Sequence, residues 1–356
     1  MFSSNANISR GQEVADVLAG AWRDSPTVLN LSTVKFEQIT LLLLNSGAAA
    51  LLWRQIEQSA NLQQSSFVLP YREAYRYQAI HGLAREREIA HIFKLFRAAE
   101  VEPVLIKGWA IARHYPASSL RPQGDIDLCV RSEQYQTAQK ILENTDARRY
   151  HIDLHQGFVK LDIENVNDLY ARSELIKICE IEVRVLSAED HLRLLCSHAL
   201  GHGACRALWL CDIAVAVEKR PKNFDWQICF SDNSVRANWV ACAVLLAHEL
   251  LGLSIDDTPV REVLKRLPDW TIPTVLRQWG VLNEAHGIRK PFAAYMHNPK
   301  GVIKALQMRY PNRIEATVSS RRPFDESSGL PLQMANIFWR AAEFLTETAK
   351  RRREKL

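Results

Sequence analysis

The chain has 356 residues, enough for two or three packed units, and its 47% hydrophobic and 24% charged residues are ordinary for a globular protein with a sizeable core. The net charge of +5 is mild and argues against long nucleic acid as the main partner, which needs clustered Lys and Arg. Seven scattered cysteines without a C-x-x-C pair argue against a disulfide framework or a zinc site, and for reduced thiols in a cytoplasmic protein.

The opening MFSSNANISRGQEV has no apolar signal core. Up to about residue 100 the chain reads as helices. GQEVADVLAGAW, FEQITLLLLNSGAAALLWRQIEQ and REAYRYQAIHGLAREREIAHIFKLFRAA carry apolar stripes at helical spacing. The most apolar run, ITLLLLNSGAAALLW, is too short to span a bilayer and contains Asn45, so it reads as a buried helix and no membrane contact is expected. EPVLIKG then reads as a buried strand ending in a turn, followed by a short helix in WAIARHY. DIDLCV alternates with period two, as a strand does, and SEQYQTAQKILEN returns to helix with Ser132 as N-cap. RYHIDLHQGFVKLDI alternates again, as one strand or a hairpin broken near Gly157, and EIEVRVLS is a further strand. Ser187, three residues before Asp190, opens a helix by a capping-box-like arrangement. From AEDHLRLLCSHALGH through ALWLCDIAVAVEK and SVRANWVACAVLLAHELL to PLQMANIFWRAAEFLTETAKRRR the pattern is helical, with SSRRPFDESSGLP as a loop. The closing KRRREKL is a solvated helix end or an anion contact. The expected organisation is α+β: an N-terminal helical region over 1–100, a small mixed sheet over 101–187, and a C-terminal helical region over 188–356.

The chemistry concentrates in the sheet. Residues two apart on a strand face one side, so Asp125 and Asp127 are expected to point together. Two such carboxylates repel when both are ionised in a partly buried place, and a divalent cation removes the conflict. Oxygen-only ligands favour Mg²⁺ or Mn²⁺. Upstream, Lys107 and Gly108 sit at a strand-to-helix turn, where a glycine lets backbone N–H groups approach a phosphate. Downstream, Asp153 lies on the next alternating segment. Three acids, a glycine turn and a basic residue are the parts of metal-assisted phosphoryl or nucleotidyl transfer. His155 shares the face of Asp153, as a proton carrier, a substrate contact or a core histidine. His198 and His202 have the i, i+4 spacing of metal ligands, but H-E-x-x-H is absent and packing is the preferred reading.

The order VLIKGWAIARHYP, LRPQGDIDLCV, HIDLHQGF and VRVLSAEDHLRLLCSHAL resembles the uncharacterised nucleotidyltransferase family with an LKG…R…DID signature, within the DNA polymerase beta-like superfamily. The resemblance runs from about Val101 to Val217. It implies a nucleotidyltransferase-type sheet, with Lys107, Gly108 and Trp109 at the nucleotide-binding turn and Asp125 and Asp127 as the metal-binding pair. It implies Asp153 as the third carboxylate, which helps activate the attacking hydroxyl, with Asp162 as the competing candidate. Arg121 matches the basic residue before the pair and is expected on phosphate, and Asp212 matches an acidic position of the helical part. Trp109 departs from the Gly-Ser form common in the superfamily, and Lys107 is then expected to supply the missing contact as charge.

The expected activity is therefore metal-dependent transfer of an NMP from an NTP, ATP first, to a hydroxyl or other acceptor that the sequence does not identify. The competing expectation is an inactive fold of the same type that binds a partner protein. A kinase is disfavoured, since neither G-x-x-x-x-G-K-[ST] nor H-R-D occurs.

Overall fold

The computed structural model describes residues 4–29, 31–158, 166–282, 311–327 and 333. The helices α1 (Ser4–Leu18), α2 (Thr33–Asn45), α3 (Ala49–Ile56), α4 (Ala60–Gln63) and α5 (Leu69–Arg97) come first. The sheet region follows: β1 (Val104–Ile106), α6 (Gly108–Ala112), β2 (Ile126–Val130), α7 (Tyr135–Asn144), β3 (Ile152–Gln156), α8 (Val166–Arg172), β4 (Glu174–Ile178) and β5 (Ile181–Val185). Then come α9 (Ala188–Gly201), α10 (Ala207–Glu218), α11 (Trp226–Phe230), α12 (Ser234–Leu251), α13 (Val260–Val263), α14 (Thr271–Trp279) and α15 (Arg313–Ser319). The strands form one mixed sheet in the order β3-β2-β1-β5-β4. This is the expected α+β class.

Two cores decide how the regions meet. One joins the helices before and after the sheet: Leu18 of α1, Trp22 in the turn after it, and Phe36 and Leu43 of α2 share a buried cluster with Leu210, Leu245 and Trp279. The regions that are first and last along the chain thus pack as one helical body. The second core lies under the sheet, where Ile126, Leu128 and Val130 meet Ile89, Phe93 and Phe96 of α5. The period-two side-chain alternation of β2 puts those three residues on one face. Helix α5 serves both cores, since Tyr71 near its start belongs to the helical body.

Four local readings change. Ser132, expected as an N-cap, instead opens a short 3-10 turn over Ser132–Gln134 that leads into α7. The run expected as one long helix from Phe36 breaks into α2 and α3 at Gly47, whose φ of +81° a side chain rarely adopts. Ser46 completes the break by donating to the Leu43 carbonyl and accepting from the Ala48 amide. Strand β3 stops at Gln156, before Gly157 at φ +65°. Strand β4 was not expected at all. It pairs antiparallel with β5 through a two-residue turn at Cys179 and Glu180, both at positive φ. Asn-Gly or Asp-Gly normally signals such a turn, and Cys-Glu carries no such signal. The expected cap at α9 is present, with Ser187 accepting from the Asp190 amide at 3.3 Å. PLQMANIFWRAAEFLTETAKRRR, apart from Gln333, and the basic tail lie outside the described residues.

A buried polar cluster joins the segment before β2 to the helical body. Asp212 of α10 accepts from Arg121 Nε at 3.2 Å and Nη2 at 2.8 Å, and from the Tyr115 hydroxyl at 2.9 Å. Burial, then the Asp212 charge, pushes the Tyr115 hydroxyl well above its ordinary range. Close to this cluster lie two neutral histidines. His191 of α9 is held down to about 3 by burial first, then by His114, Arg113 and Arg121. His114 is held down to about 4 by burial and then by Arg113 and Lys219.

Asp212→Asn leaves the buried Arg121 guanidinium without its counter-charge and is expected to lower stability by about 3–5 kcal/mol in denaturant unfolding. The histidines predict an acid limb. Between pH 6.5 and about 4 the unfolded chain binds protons that folded His191 and His114 refuse, so stability is full above pH 6.5 and falls as pH drops through this window. The loss of melting temperature between pH 7 and pH 4.5 should be smaller in His191→Gln than in the parent protein.

Candidate active site

The site forms where β1 ends and β2 and β3 begin. Ile106 pairs with Asp127 across the antiparallel β1–β2 ladder, so the next residue, Lys107, emerges beside that carboxylate. Strands β2 and β3 run parallel with Asp127 opposite Asp153, which places both side chains on one face. His155 follows two residues later on the same face. Its Nε2 lies 3.0 Å from Asp153 Oδ2 and 3.4 Å from Asp127 Oδ1. Ligand atoms of Asp127, Asp153 and His155 all lie within 4.8 Å of one another, the one group among the described residues with metal-ligand spacing.

Asp127 is the most enclosed of the three, at 16% side-chain exposure against 51% for Asp153. Burial pushes its carboxyl up, but the hydrogen bond with His155 and the Lys107 ammonium outweigh burial and hold it below the ordinary carboxylate range. Lys107 Nζ lies 2.5 Å from Asp127 Oδ1. The Lys107 backbone is at φ 51°, ψ −146°, a region that non-glycine residues avoid at a cost of about 1–3 kcal/mol. Gly108 follows at φ +36°. A Cβ there would sit 3.5 Å from the Asp125 carbonyl oxygen and 3.8 Å from Asp127 Oδ2, so the turn lies against the acidic loop. The Trp109 indole donates to Glu86 Oε1 at 3.1 Å and ties the turn to α5.

The other expected residues are distributed differently. Asp125 precedes β2 by one residue and is exposed. It borders the same small cleft as Asp127, with Arg85, Trp109 and Gln123, but stands outside the Asp127–Asp153–His155 group. Arg121 is turned towards Asp212, and its Nη1 donates to the Pro122 carbonyl at 2.9 Å. Sequence reasoning placed Asp212 in the helical part without finding this partner, and no local pattern links residues 91 apart. Tyr115 was missed for the same reason. His198 and His202 pack against Trp209, with ring centroids 4.7 and 5.3 Å from it, as the packing reading expected. Asp162 lies outside the described residues.

Two carboxylates and an imidazole suit a hard divalent cation. Mg²⁺ would take the oxygens of Asp127 and Asp153, leaving His155 as their hydrogen-bond partner, and Mn²⁺ tolerates the imidazole as a ligand as well. No helix among the described residues is long and apolar enough to cross a membrane.

No curated protein and no solved structure matches the chain. A family model described as uncharacterised nucleotidyltransferase matches residues 32–252, which takes in α2 through α12, and so both the acidic site and the helices packed around it. The chain belongs to this uncharacterised nucleotidyltransferase family.

Proposed function

We propose that the protein transfers an NMP, AMP the expected one, from an NTP to a hydroxyl-bearing or other acceptor, with release of pyrophosphate. The observation that carries this reading is the convergence of Asp127 and Asp153 beside the Lys107–Gly108 turn. Asp127 and Asp153 would hold the cation, with exposed Asp125 at the rim of the same cleft. Mg²⁺ or Mn²⁺ held there would supply positive charge against the charge that develops on the phosphates during transfer. The acceptor hydroxyl attacks the α-phosphorus in line, the bond to the β-phosphate oxygen breaks, and the hydroxyl proton passes to Asp153. His155, at 3.0 Å from Asp153, orients that carboxylate and relays the proton to solvent. Gly108 gives the phosphates a turn without a side chain. Lys107 offsets their charge, the part a serine would share in a Gly-Ser turn. Arg121, whose donors are engaged by Asp212 and Pro122, keeps the approach to β2 in place.

A second reading rests on Trp109, which takes the place of that serine and is committed to Glu86. Under it the sheet is a retired transferase and the protein binds a partner. One experiment separates the two. The protein is incubated with each α-labelled NTP and Mg²⁺ or Mn²⁺, with and without cell extract, and labelled products are identified by mass spectrometry. Transfer of the α-phosphate is expected. Absence of any labelled product under all conditions would leave the binding reading. Asp127→Asn keeps the shape of the side chain but removes its charge, and is expected to lower transfer by at least about 100-fold with an unchanged circular dichroism spectrum. Unaltered turnover in that variant would remove Asp127 from the mechanism.

A further inference from the structure

Lys107 has one cationic head and two claims on it. Its Nζ is 2.5 Å from Asp127 Oδ1, with the side chain 10% exposed. The same oxygen takes the His155 contact at 3.4 Å, so Lys107 and a divalent cation bound to Asp127 compete for one carboxylate. The backbone of Lys107 is held at the head of α6, its carbonyl accepting from the Ile111 amide at 3.3 Å. Movement about that anchor needs only rotation of the four-carbon stem, which a lysine's compact ammonium allows more readily than a guanidinium fork. Gly108 next to it leaves the acidic loop within van der Waals reach of the turn.

We infer that Lys107 works in two seats: on Asp127, where its ammonium balances the ionised carboxylate, and on the phosphates of the nucleotide, to which it moves when a divalent cation takes its place. This rests on the nucleotidyl-transfer reading. The physical argument is charge balance. A largely buried carboxylate stripped of the Lys107 ammonium is strongly disfavoured, so Lys107 does not leave Asp127 unless another cation arrives. Conversely, a divalent cation that reaches Asp127 while the ammonium is still there meets like charge. Binding of cation alone is therefore weak. The nucleotide relieves the conflict, because its phosphates accept the ammonium that the cation displaces. Metal and nucleotide then bind with positive coupling, each raising the affinity for the other by the same factor.

The groups facing Lys107 and Asp127 are His155 and Asp153 from β3, with Arg121 near enough to act on Asp127 by charge. None of them can take the place of Lys107. Arg121 is bound by Asp212, and His155 is shared between two carboxylates.

The test measures binding, with no turnover needed. Mn²⁺ affinity is read by electron paramagnetic resonance on the full chain, and affinity for Mn²⁺-loaded inorganic tripolyphosphate by calorimetry. Lys107→Met is expected to bind Mn²⁺ alone about tenfold or more tightly than the parent, and Mn²⁺–tripolyphosphate about tenfold or more weakly. These opposite signs exclude general loss of structure, which would weaken both. Lys107→Gly is the second variant: it removes the ammonium and relaxes the positive φ, so it remains informative if the methionine variant does not fold. Lys107→Arg keeps the charge and should leave the Mn²⁺ affinity near that of the parent. Unchanged or weaker Mn²⁺ binding in a folded Lys107→Met or Lys107→Gly variant overturns the two-seat lysine. If the parent protein transfers nucleotide while that result is found, the nucleotidyl-transfer reading stands without it. If neither the parent nor any variant binds Mn²⁺ or the tripolyphosphate complex, both fall.

Discussion

The ion pair between Arg121 and Asp212 is the constraint on which the position of the site depends. Arg121 lies four residues before Asp125, at the approach to β2, and Asp212 lies in the middle of α10, inside the helical body. Both are buried, and Tyr115 closes the remaining side of the carboxylate. Two ions taken out of water repay their desolvation only when geometry and additional hydrogen bonds are good, and here the guanidinium meets both carboxylate oxygens. The pair fixes the sheet to the helices at the loop that leads through Asp125 into β2. A hydrophobic contact would tolerate sliding there, whereas a two-point charged contact selects one orientation.

The second organising element is α5. At 29 residues it is about 44 Å long, enough to reach from one core to the other. Tyr71 packs in the helical body, and Ile89, Phe93 and Phe96 pack under the sheet. Between them the helix passes the site, where Glu86 holds Trp109 and Gln78 accepts the Gln123 amide. The same helix that completes the second core therefore steadies both the turn after β1 and the loop before β2.

The turn itself carries the local strain. Lys107 sits at positive φ although it has a full side chain. Such outliers persist only where the surroundings over-determine them, and here the end of β1, the head of α6 and the carboxylate of Asp127 all constrain the residue. A glycine at this position would remove the strain and with it the ammonium that balances Asp127. The conformation and the charge are thus parts of one arrangement, and both are spent at the mouth of the acidic cleft.

Much of the site was legible in short-range pattern. Period two in DIDLCV and HIDLHQ determines that Asp127 stands on a face away from Ile126 and Leu128, and that Asp153 shares its side with His155, because the side-chain direction of a strand is a property of the backbone alone. The acidic composition of that face, with Lys107 and Gly108 at a strand end, points to the cation and phosphate chemistry proposed for the site. The helical regions were legible for the same kind of reason, through apolar spacing. Only tertiary structure decided the rest. Strand alternation stops being a guide one residue outside the ladder, and Asp125 stands apart from the Asp127–Asp153–His155 group while bordering the same cleft. Arg121 found Asp212 from 91 residues away, Lys107 found Asp127 across a strand pair, and two helical regions separated by the sheet became one body. These contacts are set by how preformed elements close on each other in three dimensions, and no spacing along the chain encodes them.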